Sequence, residues 1–390
     1  MGDLLVGILL FIAIVVGWLL GKMERKKTPA SETGGSVNKG YFDGLNLLLN
    51  EKQDEAVDLL LKTLDVSGDT FETYMVMGSL FRRRGEVDRA IRIHQDLLAR
   101  TDLTKIQQGA VRLELARDYL NAGVLDRAER ILKELAEEAS PNQVVALEHL
   151  LTIFEQEKEW NMAAGVATKL ISAGKPYQQS MAHYQCELAQ QHLVDGDSMN
   201  ARRETKKALQ VDKNCVRASL LLAEIETQSG NAKEAVKVLR KVADQDPRFV
   251  PDTLPNLIKN YRQLNQIDEL SKYLFECLKK TPSISIVIEL SQLVEELENE
   301  QAGAQVLSEY LKERPSVKGL DRLIDLQMAH ASEPEKDNLS LLQAFTRRLI
   351  KDKPIYRCGA CGFDGKTLHW QCPSCKTWGA TAPIQGLEGE

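Results

Sequence analysis

Cysteine is scarce in this chain, at seven of 390 residues. A secreted disulfide scaffold is short, loop-rich and dense in cysteine, so that class is excluded and a reducing compartment is implied. A basic surplus is also missing. The formal charge of −6 argues against a general nucleic-acid binder. Aromatics make up only 6%, while Leu, Ala, Glu, Lys and Gln dominate, which is helix-forming material with little strand signal. No G-x-x-x-x-G-K-[ST] loop, no G-x-G-x-x-G after a strand and no H-E-x-x-H helix occurs. The six histidines are dispersed, and no Ser/His/Asp or Cys/His arrangement suggests itself. Carboxylates are plentiful, but at the i,i+4 spacing of solvated helix faces. Nothing here argues for an enzyme.

Charge is missing altogether from Leu4 to Gly21, and the run LLVGILLFIAIVVGWLL is about long enough to cross a bilayer as one helix. A cleaved signal peptide needs basic residues before its apolar core and an A-x-A-like site after it. Here Asp3 precedes the core and Lys22, Arg25, Lys26 and Lys27 follow it. A buried core helix is the other reading, but the run is apolar on every face and starts the chain. Residues 1–21 therefore read as an uncleaved, single-pass anchor. Basic flanks stay on the cytoplasmic side, which puts the body there. The same cluster would meet anionic headgroups, and Trp18 suits the interface. Residues 22–39 form a basic flank and a linker of small polar residues, Thr28 to Lys39.

Residues 40–353 carry a pattern that recurs near the 34-residue period of tetratricopeptide repeats. The clearest copy runs from Leu220 to Pro247, with Leu222-Ala223, then Gly230, then Ala235, Leu239 and Val242. The skeleton returns at Met77-Gly78, Gly85, Ala90 and Leu97. Further copies are Leu115-Ala116, Gly123, Ala128 and Leu132, and Leu188-Ala189, Gly196, Ala201 and Ala208. Weaker copies centre on Ala56, on Ala163, on Tyr261 with Leu270 and Leu274, on Ala304 and on Leu341. Small residues let paired helices approach, and the turn glycines supply a left-handed helix end. One hairpin cannot bury its own apolar face, so the copies must stack as a superhelical solenoid. The spacing stretches from Ala90 to Ala128 and from Ala163 to Ala201, which calls for longer helices or loops there. First helices of such arrays line a groove for partner segments. The runs Arg82-Arg83-Arg84 and Arg202-Arg203 with Lys206-Lys207 suit either an acidic partner or a solvated face.

Residues 354–390 form a terminal ribbon and tail, with Cys358-x-x-Cys361 and Cys372-x-x-Cys375. Two such pairs make a tetrahedral four-sulfur cage for one zinc or iron ion, with no open position for catalysis. Gly362 lets the backbone curl around the first pair, Pro373 fixes it at the second, and backbone amides can then reach the sulfurs. The segment reads as two short turns joined by a small hairpin. Its core is too small to fold alone, so the metal would supply the folding free energy. His369 reads as a surface residue. Tyr356, Trp370 and Trp378 read as apolar surface that packs the ribbon onto the last helices. Cys186, Cys215 and Cys277 read as single buried apolar residues.

The knuckles C-x-x-C-G and C-P-x-C resemble rubredoxin-like zinc ribbons, although Lys376 stands where a second Gly is common. Over its full length the chain resembles the lipopolysaccharide assembly protein B family of Gram-negative bacteria. The resemblance rests on the anchor, the LAEIETQSGNAKEA-type repeats and the YRCGACG…WQCPSC ending. It implies an all-α tetratricopeptide solenoid with an N-terminal transmembrane helix and a rubredoxin-like ribbon, in the inner membrane with its body in the cytoplasm. It also implies a non-enzymatic adaptor that restrains lipopolysaccharide synthesis. Such an adaptor would help an FtsH-type membrane protease degrade the deacetylase that commits precursor to lipid A, and would contact other lipopolysaccharide assembly and membrane proteins. Self-association into a homodimer stays open. The alternatives are electron transfer through an iron ribbon and nucleic-acid binding. The short loop between the cysteine pairs counts against the first and the acidic balance against the second.

Overall fold

The computed structural model describes residues 71–390 apart from 330 and 388. The expected anchor at 1–21, the flank and linker at 22–39 and the repeat copy around Ala56 lie outside the described residues. Among the described residues, no helix is long and apolar enough to cross a membrane. The chain divides into two units, one ending at Asn142 and one running from Gln143 to Glu390.

The first unit holds α1 (Phe71–Arg83), α2 (Val87–Leu98), α3 (Lys105–Asn121) and α4 (Leu125–Glu137). Gly85 and Gly123 close the two hairpins with φ of 81° and 72°, the left-handed conformation that only glycine adopts at low cost. The small residues Ala90, Ala116 and Ala128 are fully buried where the helices cross. Gly78 has a more specific task than easing helix approach. A Cβ there would stand 2.4 Å from the His94 ring, so the glycine makes room for a buried imidazole. His94 Nδ1 lies 2.5 Å from Asp118 Oδ2, and Arg82 donates to Asp118 Oδ1 at 2.7 Å. Three helices are thus joined through one buried carboxylate.

The second unit continues with α5 (Gln143–Glu157), α6 (Trp160–Ser172), α7 (Gln178–Val194), α8 (Ser198–Val211), α9 (Val216–Gln228) and α10 (Ala232–Gln245). A 3-10 turn over Pro247–Phe249 leads into α11 (Val250–Gln263) and α12 (Ile267–Lys280). Then come α13 (Ile284–Leu297), α14 (Glu300–Glu313), α15 (Val317–Met328) and α16 (Glu333–Lys351). Consecutive helices pair as antiparallel hairpins, and each first helix from α7 to α13 also touches the first helix of the next hairpin. That stacking buries a continuous core in which Leu239, Leu257, Tyr261, Leu270, Leu274 and Leu290 are almost fully covered. Complete burial of each such side chain is worth about 1.5–3 kcal/mol.

The stretched spacings have a simple origin. Helices α3 and α7 have 17 residues, whereas α9 has 13. The weaker copies have one too. Lys158 and Asn265 hold the left-handed turn position, at φ of 59° and 54°, that glycine holds in the clear copies.

The basic runs are mostly spent on ion pairs inside each unit. Arg82 binds Glu114 and Asp118, Arg84 binds Glu86, Arg202 binds Glu226, and Arg203 and Lys207 flank Glu204. Arg82 and Arg202 tie one helix to another, and the other three pairs are local.

Asp118→Ala removes the carboxylate that Arg82 and His94 share. Losing one partner of a buried pair costs about 3–5 kcal/mol, so the urea midpoint of the first unit should fall clearly. An unchanged midpoint by circular dichroism would show that the pair carries no stability.

Candidate metal centre and the docked ribbon

After Lys351 the chain leaves helix and forms three short strands, β1 (Tyr356–Cys358), β2 (Asp364–Gly365) and β3 (Thr381–Pro383). They pair antiparallel in the order β2-β1-β3, with Tyr356 opposite Gly365 and Cys358 opposite Thr381. Each cysteine pair sits at the tip of its own hairpin. The first lies between β1 and β2, and the second is closed by a bridge between Gln371 and Trp378. The sequence suggested a hairpin between the two turns; the turns are themselves the hairpin ends.

The two tips converge. The sulfurs of Cys358, Cys361, Cys372 and Cys375 all lie within 4.8 Å of one another. Cys358 to Cys375 is 3.7 Å and Cys361 to Cys372 is 3.6 Å. A tetrahedral zinc with Zn–S bonds of about 2.3 Å requires sulfurs about 3.8 Å apart. The cage therefore fits such an ion, with Cys358 and Cys372 buried and Cys361 and Cys375 toward solvent.

The two knuckles are backbone equivalents. Gly362 N–H donates to the Cys358 carbonyl at 2.9 Å, and Lys376 N–H donates to the Cys372 carbonyl at 2.9 Å. Lys376 adopts φ of 59° to do so, a conformation that costs a non-glycine residue about 1–2 kcal/mol. The departure from the usual glycine is thus absorbed as local strain with no change in geometry. Around the second knuckle, the Thr377 hydroxyl and backbone N–H hold the Cys375 thiol down at about 6. Hydrogen bonds of this kind stabilise concentrated thiolate charge. His369 is exposed, faces the Thr367 hydroxyl and stands outside the cage.

The ribbon does not sit on the last helices, as Tyr356, Trp370 and Trp378 had suggested. It turns back onto α5, α6, α7, α9 and α11. Trp378 is buried edge-on to Trp160 and Tyr184, at 6.0 and 5.8 Å between ring centroids, and stacked on His183 at 5.2 Å. Its indole N–H donates to Glu155 Oε1 at 2.8 Å. The same carboxylate accepts from the Tyr184 hydroxyl and, at 3.3 Å, from Gln371 Nε2. Trp370 stacks on Phe249 at 5.5 Å, and Tyr356 donates to Asp252 Oδ1 at 2.9 Å.

The physical reason is the indole's double demand. It needs an apolar box and an acceptor for its N–H, and α5 to α7 offer both. On α16, Leu341, Leu342, Phe345 and Leu349 stay exposed.

Charge at this contact is arranged to stay fixed. Burial, helped by the nearby Arg217 guanidinium, lowers the His183 pKa to about 3, so the ring that stacks on Trp378 is neutral. Arg217 lies over the Trp378 face at 6.0 Å and donates to Glu187 and Gln190. Gly379 completes the fit. A Cβ there would stand 2.4 Å from Gln179 Nε2.

Sequence reasoning brought together the four cysteines but missed Glu155, Trp160, His183, Tyr184, Arg217, Phe249 and Asp252. A signal existed. Aromatics are rare in the chain, yet Trp160, Tyr177 and Tyr184 fall on neighbouring elements of one hairpin pair. Cys186 and Cys215, expected as isolated apolar residues, are buried in one cluster with Ala182, Ala208 and Ala218.

The helices and the knuckles together define a class, a tetratricopeptide-repeat protein that carries a rubredoxin-like ribbon. Residues 73–106 and 186–248 match tetratricopeptide repeat families, and residues 356–383 match a rubredoxin metal binding domain. The chain is 35% identical over 384 residues to lipopolysaccharide assembly protein B of Escherichia coli strain K12, covering 98% of each chain. It is 34% identical over 391 residues to lipopolysaccharide assembly protein B of Haemophilus influenzae, again covering 98% of each. A solved tetratricopeptide repeat protein from Parabacteroides merdae matches with 15% identity and a TM-score of 0.33, over 67% of this chain and 100% of that one. The chain belongs to the lipopolysaccharide assembly protein B family.

Trp378→Ala empties the aromatic box and removes one of the three donors to the Glu155 carboxylate. Truncating a buried Trp costs about 3–5 kcal/mol, more than a small ribbon contact can lose and stay docked. Cleavage by trypsin after Lys351 should become fast while the helical circular dichroism holds. Wild-type resistance at that site would show that other contacts carry the dock.

Proposed function

We propose that the chain is a membrane-anchored cytoplasmic adaptor that regulates lipopolysaccharide biosynthesis and performs no chemistry itself. The observation that carries this reading is the ribbon docked through Trp378 across α5, α6, α7 and α9. A stack of hairpins offers first helices as a binding surface, and here a metal-supported module is built into that surface. Family membership supports the link to lipopolysaccharide assembly.

In this reading Cys358, Cys361, Cys372 and Cys375 are the ligands of one zinc or iron ion. The ion, when bound, supplies the ribbon's folding free energy. Four thiolates leave no open coordination position, so the chain's own part is to shape a surface. Residues 1–21 hold that surface at the inner membrane with the body on the cytoplasmic side. Tethering raises the effective concentration of whatever the array binds near a membrane enzyme. The partners that fit are an FtsH-type membrane protease and the deacetylase that commits precursor to lipid A, the first degrading the second.

The test is affinity capture after crosslinking in membranes, with the intact chain, a Cys372→Ser form and a form lacking residues 1–27. The intact chain should recover both the protease and the deacetylase, and the deacetylase should accumulate in cells carrying either altered form. Equal recovery and equal deacetylase levels in all three would refute the adaptor reading.

A further inference from the structure

Beyond the ribbon, residues 384–390 fold back into a site that belongs to the helices. Ile384 N–H donates to the Ile355 carbonyl at 2.8 Å, and Val317 N–H donates to the Leu387 carbonyl at 3.1 Å. The segment then closes a tight turn, with Glu390 N–H donating to the Ile384 carbonyl at 2.8 Å. Gly389 is required for that turn, because a Cβ there would stand 2.1 Å from the Ile384 carbonyl oxygen.

The turn delivers one carboxylate. Glu390 Oε2 accepts from the Ser283 hydroxyl at 2.9 Å and from the Ser285 N–H at 3.2 Å. Glu390 Oε1 accepts from the Ser285 hydroxyl at 2.7 Å and from Lys318 Nζ at 3.0 Å. The side chain of Glu390 is 8% exposed. Burial alone would raise its pKa, yet Lys318 and the serine hydrogen bonds bring it below the ordinary value. Charge-assisted bonds of this kind are about twice as strong as neutral ones.

The protein side of this site is preformed by the repeats. Ser283 caps α13 by accepting from Ile286 N–H, Ser285 stands in the first turn of α13, and Lys318 stands at the start of α15. The tail does not fill the space available. A cavity of about 480 Å³ opens beside it, walled by Pro282, Tyr310, Arg314 and Pro315 on the helical side and by Gln385, Gly386 and Leu387 of the tail on the other. Arg314 adds a second cation to that wall.

We propose that Ser283, Ser285 and Lys318 form a receptor site for an acidic peptide segment of a partner protein, and that the chain's own residues 385–390 occupy it in cis. The carboxylate contacts define the chemistry that is recognised, and the helical wall with Arg314 offers a ligand a second cation once the tail residues that line the cavity leave. A tethered tail competes at an effective concentration that for short flexible links is of millimolar order. Partner binding at this site is therefore held back until a better ligand displaces the tail.

The probe is a labelled, N-acetylated peptide spanning residues 385–390, titrated by fluorescence anisotropy against the full chain in detergent. Gly389→Ala blocks the turn, and Glu390→Lys sets a cation against Lys318, so two independent variants release the tail. Both should bind the peptide at least about tenfold more tightly than wild type. Adding Lys318→Ala, or using a peptide that ends in Gln, should abolish that gain. Equal affinity for wild type and both variants would overturn the proposal, as would no binding to either released form.

Discussion

One hydrogen bond inside one aromatic box connects the distant parts of this chain. Trp378 donates to Glu155 across 223 residues of sequence, and its ring is enclosed by Trp160, Tyr184 and His183. The indole can reach that box only if the second knuckle is formed, because the bridge between Gln371 and Trp378 closes the turn that carries Cys372 and Cys375. The fold of the small ribbon around its four converging cysteines is thereby coupled to the packing of helices far earlier in the chain. A module with a negligible core of its own borrows one from the array.

That coupling changes what the helical array can be. Ordinary tetratricopeptide hairpins stack only on neighbours, so their stability is close to a sum of local terms. Here the ribbon spans α5 through α11 in one contact, with Trp370 on Phe249 and Tyr356 on Asp252 at its far side. The tail adds a second closure farther along, through Glu390 on α13 and α15. Hairpins that would otherwise open one by one are tied across several repeats. Such stiffness suits the proposed adaptor role, because ordering a binding surface after a partner arrives would cost binding free energy.

Much of the architecture was legible in sequence because its signals are local. The small residue, turn glycine and small residue pattern at Ala116, Gly123 and Ala128 follows from the crossing and the turn that each demands. The cysteine spacing follows from the bite of a thiolate pair. Hairpins turning at Lys158 and Asn265 were fainter, since a strained non-glycine residue hides the same turn. The dock itself was not legible. Nothing near Trp378 in sequence announces Glu155, and the expectation that the ribbon would rest on its nearest helices rested on chain proximity alone. Side chains that meet across hundreds of residues leave no period to read, and Lys376 shows that even a local rule can be met by the wrong residue at a cost in strain.

The most direct measurement is hydrogen exchange of the α7 and α9 amides before and after the metal is stripped by a chelator. If the folded ribbon braces the array, protection should fall in α7 and α9, which contact Trp378, and hold in α2 and α3 of the first unit. Unchanged protection of α7 and α9 in the metal-free protein would contradict the account.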